Sequence, residues 1–208
     1  MKPSGRAARF SSEAAPSVVP PFATVAVPAG RGLTVRDAVK ALFGLETAVG
    51  SIDVVSDPPV YVFARVTAED ASGGRHGYGL PAVLGSEGPV SGGRGIFIQA
   101  ADSGWDVMES ELQLTNPTDS AANVVVKAWD AEGNAAGTPL ALTLAPKEVV
   151  RVPAAFYSIS GFGAAVGRLE VLPTDGAGTV FAVYVRQGRK TGDADAVVPY
   201  VKAPPASS

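Results

Sequence analysis

The chain has 208 residues, 46% apolar and 18% charged, a balance that suits a packed globular protein and disfavours a wholly disordered one. Its 24 glycines and 17 prolines break up any long-helix architecture, and a net charge of −3 argues against a nucleic-acid partner. Cysteine is absent and His76 is the single histidine, which removes disulfides, thiolate chemistry and multi-His metal sites and weighs against a Ser-His-Asp machine.

Residues 1–21 are rich in Ala, Ser and Pro without periodicity and are expected to form a flexible leader. Ser11, Ser12, Glu13 and Pro16 stand where the apolar core of a signal peptide would follow Lys2 and Arg6. No stretch approaches the roughly 18 continuous apolar residues of a spanning helix, so no membrane span is expected. Thr34 can cap a short helix with Val35, Val39, Leu42 and Phe43 on one face and Gly44 at its end. Residues 85–94, with Gly85, Ser86, Gly88, Pro89, Ser91, Gly92 and Gly93, read as a linker.

Beyond it the pattern becomes regular. Strands are expected at Ile96 to Ile98, around Leu112 and Leu114, and at Val124 to Trp129, where Val124, Val126 and Ala128 face away from Val125, Lys127 and Trp129. Further strands follow at Leu140 to Leu144, Val150 to Val152, Leu169 to Val171, Thr179 to Val185 and Ala196 to Val201. Asn116-Pro117-Thr118-Asp119 and Asp130-Ala131-Glu132-Gly133-Asn134 supply turns. Pro153 suits the first turn of a second short helix closed by Gly161. About seven short strands with regular turn signals predict an all-β sandwich of roughly 100 residues.

The chain also matches itself. Ala48 to Val54 parallels Ala165 to Val171, Val62 to Arg65 parallels Val183 to Arg186, Leu80 to Val83 parallels Val198 to Val201, and Val25 to Pro28 parallels Thr143 to Pro146. The second copy has strands ahead of the shared part and the first has only the leader there. Residues 22–84 are therefore expected to form an incomplete repeat, 95–203 a complete sandwich and 204–208 a tail, with one short helix per copy. An incomplete copy with open sheet edges has four outlets: docking on its neighbour, recruiting residues 17–27, accepting strands from other chains or repeats, or belonging to a longer array.

At Leu112 to Pro117, Val124 to Gly133 and Leu142 to Pro146 the chain resembles the immunoglobulin-like modules repeated in bacterial secreted and surface proteins, including the cell-adhesion-related type. The resemblance spans roughly residues 96–201, and its later half recurs at 22–83. It implies an immunoglobulin-like β-sandwich on display outside the cell, with a structural or adhesive role and no catalytic residues.

His76 lies in a glycine-rich loop, Ser72 to Gly79, and reads as an exposed loop histidine, not a general base. Asp193 and Asp195, as a D-x-D pair, and Asp102 and Asp106 are the weak calcium candidates, with too few oxygens for a full site; no metal or cofactor is expected. Trp105, Trp129 and Tyr78 are the candidates for stacking on a sugar or marking a protein interface. Arg65 and Arg186 occupy matching repeat positions and are expected to pair with carboxylates. The expected function is a non-catalytic structural or adhesive module. The alternative is an accessory carbohydrate- or protein-binding module of a secreted hydrolase; an enzyme built on Asp193 and Asp195 is the third reading.

Overall fold

Period-two burial organises this chain. A computed structural model describes residues 6–12, 22–46, 48, 50–69, 73–83, 88–89, 93–101, 108–161, 166–175, 179–188 and 194–202. Two compact units divide between Tyr61 and Val62.

The first unit holds β1 (Arg6–Ser12), β2 (Phe22–Val25), a six-residue helix α1 (Ala38–Phe43) and β3 (Gly50–Val55). Its sheet has the order β2-β1-β3, antiparallel throughout, with Phe10 opposite Ile52 and Ala8 opposite Val54. Arg6–Ser12 thus forms a strand where a flexible leader was expected; the long-range register with β3 supplies what local periodicity lacks. Among residues 22–46, 48 and 50–61 of this unit none is buried, and Phe22, Leu33, Val55 and Tyr61 are well exposed.

The second unit begins with the hairpin β4 (Phe63–Glu69) and β5 (Arg75–Pro81), so the unit boundary falls ahead of residue 84, where the incomplete repeat was expected to end. The glycine-rich stretch expected to loop around His76 is instead largely strand: His76 sits in β5, opposite Ala68. Next come β6 (Arg94–Ala101), β7 (Met108–Thr115), β8 (Ala122–Asp130), β9 (Ala135–Leu144) and β10 (Val149–Pro153). A second six-residue helix, α2 (Ala155–Ser160), precedes β11 (Val166–Pro173), β12 (Phe181–Gly188), β13 (Ala194–Val197) and β14 (Tyr200–Lys202). Gly88, Pro89 and Gly93, within the stretch expected as a linker, are buried. The two sheets are β10-β7-β12-β13 and β14-β6-β11-β8-β9.

These two sheets make the all-β sandwich. Leu112, Leu114, Ala182 and Tyr184 line the four-stranded side; Phe97, Val124, Val126, Ala128, Leu169 and Val171 line the five-stranded side. Phe97 and Tyr184 meet across the core with ring centroids 5.8 Å apart. On β8 the burial alternates as the sequence predicts, with Val124, Val126 and Ala128 inside. Ala155, Phe156 and Ile159 of α2 are buried in the same core.

Both helices start differently from expectation. Asp37 and Ala154 precede them in the left-handed conformation (φ 49° and 45°) without a side-chain cap, so Thr34 is not the N-cap and Pro153 ends β10 instead of opening α2. Gly44 and Gly161 close the helices at positive φ, as predicted.

Candidate functional site

Strand pairing decides which polar side chains meet. On β11, Arg168 and Glu170 share the outward face, and the register sets Arg168 opposite Trp129 and Glu170 opposite Lys127 on β8. Glu170 is buried, a costly state for a carboxylate without partners. Two guanidinium groups offset that cost: Arg94 Nη1 stands 3.5 Å and Arg168 Nε 3.4 Å from Glu170 Oε1. The Arg168 guanidinium also lies 4.8 Å from the Trp129 ring centroid, a cation–π contact. Among the described residues, neither Arg168 Nε nor the buried Trp129 Nε1 has a hydrogen-bond acceptor. Trp129 therefore stands on the outward face foreseen for it, with one ring face already covered by an arginine.

The four-stranded sheet carries a second polar cluster. Glu111 on β7 is paired with Arg151 on β10, and Gln113 Nε2 donates to Glu111 Oε1 at 2.7 Å. Tyr78 of β5 is half-buried near this pair. Burial, and secondarily the negative charge of Glu111, raise its phenol above the ordinary value, while Arg151 works in the opposite direction. A phenol whose folded pKa exceeds its unfolded value contributes stability below about pH 10 that is lost as the pH climbs through the folded value. Tyr78→Phe is expected to remove that slope. In denaturant titrations its stability relative to wild type should hold constant up to about pH 10 and then shift in the variant's favour; an unchanged difference beyond that point would refute the assignment.

Asp195, the described member of the D-x-D pair, is taken by Arg186, whose Nε donates to Oδ1 at 2.9 Å across the β12–β13 register. Arg65, at the matching position on β4, faces Gly79 and so meets no acid across its strand pair. Among the described residues no three acidic or histidine side chains converge as a metal set. Trp105, Asp102, Asp106 and Asp193 lie outside the described residues, as does the side chain of His76.

One cavity of about 280 Å³ opens between the β5 exit and the β13–β14 segment. Its described lining residues, among them Ala82, Pro89, Phe181, Val198 and Pro199, are Ala, Val, Gly, Pro or Phe. None of these described lining residues is an acid, a base or a nucleophile. Sequence reading missed the Arg94–Glu170–Arg168–Trp129 cluster. Its one visible trace was a pair of charged residues alternating with Leu169 and Val171 in a strand otherwise built for the core.

No family model matches the chain, and no curated protein matches it either. Among solved structures, "Crystal Structure of Thermotoga maritima 1070" is similar over 54% of this chain and 94% of that one, at 11% identity and a TM-score of 0.41. Among the described residues no helix is long and apolar enough to cross a membrane.

Proposed function

We propose that this chain is a non-catalytic structural or adhesive module of a secreted or cell-surface bacterial protein, with an immunoglobulin-like sandwich as its rigid body. The observation carrying this reading is where the charges go. Glu111 with Arg151, Asp195 with Arg186, and Glu170 with two arginines are consumed in ion pairs between sheet strands. Reactive chemistry needs the reverse, unpaired titratable groups converging on a pocket. The apolar lining of the cavity agrees with the same reading. A module of this kind holds its loops and neighbours at fixed spacing by strand pairing and core packing.

The accessory carbohydrate-binding alternative would use Trp129, and the Arg168 guanidinium on its ring counts against it. A glycan array probed with the full chain distinguishes the two. The expected result is no glycan signal that depends on Trp129. A glycan bound by wild type and lost in a folded Trp129→Ala variant would overturn the structural reading in favour of the carbohydrate module.

A further inference from the structure

The strands β14, β6, β11 and β8 lie side by side in one sheet, and their basic residues are Lys202, Arg94, Arg168 and Lys127. Register puts all four on the same face. Phe97, Leu169, Val126 and Ala128 point into the core, and the alternate positions point out. There Lys202 stands opposite Arg94, Tyr200 opposite Ile96, Ile96 opposite Glu170, Glu170 opposite Lys127, and Arg168 opposite Trp129. The acids of these strands are Glu170 and Asp130. Asp130 falls on the other alternation at the end of β8, where the Asn134 N–H and Nδ2 donate to its carboxylate at 2.7 and 3.1 Å. Among the described residues of these strands, four outward cations thus meet one outward acid, on a chain whose net charge is −3.

Glu170 organises the cations without using them up. Arg94 Nη1 and Arg168 Nε are the atoms that approach its Oε1, a fraction of the N–H donors each guanidinium carries. The Arg94 and Arg168 side chains stay 42% and 41% exposed, against 4% for Glu170. The buried acid therefore holds two guanidinium groups side by side with donors left for another partner. Among the described residues, Lys127 and Lys202 are engaged in no ion pair.

We propose that this face of β14-β6-β11-β8 docks an acidic surface of a partner protein. Lys202 and Lys127 are three strands apart, about 14 Å across the sheet, too far to converge on one small anion. Ile96, Val125 and Leu172 are partly exposed between the cations, and Tyr200 is 69% exposed beside them. Arginine and tyrosine interleaved with apolar side chains suit a protein surface that brings both carboxylates and apolar contacts. A sugar or a nucleobase needs an open ring to stack on, and one face of the central Trp129 ring is taken by Arg168. The inference adds a partner chemistry to the module reading above and does not rest on it.

The test measures binding of the full chain to immobilised poly(Glu,Tyr), a random copolymer of acidic and aromatic residues. Hyaluronate and oligothymidylate serve as the acidic-sugar and nucleic-acid probes. Poly(Glu,Tyr) is expected to bind most tightly of the three and to lose affinity as KCl is raised. Lys127→Gln with Lys202→Gln leaves the Glu170 pairs in place and should weaken binding about tenfold with an unchanged melting profile. Lys127→Arg with Lys202→Arg should retain it. Arg31→Gln with Arg36→Gln makes the same charge change at exposed positions of the first unit and should leave binding intact. Absence of binding to poly(Glu,Tyr) at low salt overturns the proposal, as does an equal loss in the two glutamine variants. Tighter binding to hyaluronate or to oligothymidylate also overturns it, assigning the face to an acidic polysaccharide or to single-stranded nucleic acid.

Discussion

Asn116→Ala is expected to lower the unfolding free energy by about 3 kcal/mol, more than a surface turn residue normally commands. Asn116 is fully buried despite its place at the end of β7. Its Nδ2 donates to the carbonyls of Ser120 at 2.7 Å and Ala145 at 2.9 Å, and more weakly to Leu144 at 3.3 Å. Its Oδ1 accepts from the Thr118 N–H at 3.0 Å and hydroxyl at 2.8 Å. One side chain therefore ties the β7–β8 turn to the end of β9, while its backbone N–H donates to Glu148 O at 2.9 Å. Truncation strands several of these groups at once, at about 1–3 kcal/mol for each that water cannot reach. Partial exposure of Ser120 and Ala145 keeps the total well below the full sum.

Asn116→Asp sharpens the same point. It replaces the donor with an oxygen facing three carbonyls, so the introduced carboxyl prefers its protonated form in the folded state. Its folded pKa lies above the unfolded value near 4. The deficit relative to wild type should therefore be smallest below about pH 4 and grow as the pH rises. Urea midpoints at acid and neutral pH check both variants. An Asn116→Ala loss under about 0.5 kcal/mol would show that the latch is dispensable.

The sandwich was legible because its strands carry their own pattern. Leu112 and Leu114, then Val124, Val126 and Ala128, repeat every second residue, and those residues are the ones inside. Arg6–Ser12 carries no such alternation; its strand exists through pairing with β2 and β3, which only the folded register reveals. Asn116 was visible as a turn residue, but its buried latch depends on Ala145, 29 positions away. The helix starts were misplaced because Asp37 and Ala154 adopt left-handed backbone, a choice that side-chain preference at non-glycine residues does not announce. At the candidate site Trp129 was placed on the correct face, yet the arginine on its ring comes from a strand 39 residues later and follows from register alone.

The second large effect is expected at Gly137, where conformation and contact coincide. The β8–β9 register breaks between Val126 and Ala128: Leu140 faces Val126, Ala136 faces Ala128, and β9 spends Gly137, Thr138 and Pro139 opposite Lys127 alone. Gly137 takes φ +70° there, and a Cβ would lie 1.9 Å from Ile159 O and 2.7 Å from Ser160 C. The bulge thus brings β9 backbone against the last turn of α2, whose Phe156 and Ile159 are core residues. Gly137→Ala adds left-handed strain of about 1–2 kcal/mol and forces backbone apart at about 1–3 kcal/mol more, for a loss near 3 kcal/mol in all. Gly133→Ala separates the two contributions. Gly133 has φ +90° in the adjoining turn with nothing near its Cβ position, so strain alone acts and about 1–2 kcal/mol is expected. Calorimetric melting of both variants reads the difference. If Gly133→Ala and Gly137→Ala cost the same, α2 does not bear on the bulge, and the packing of that helix against β9 would have to be reassigned.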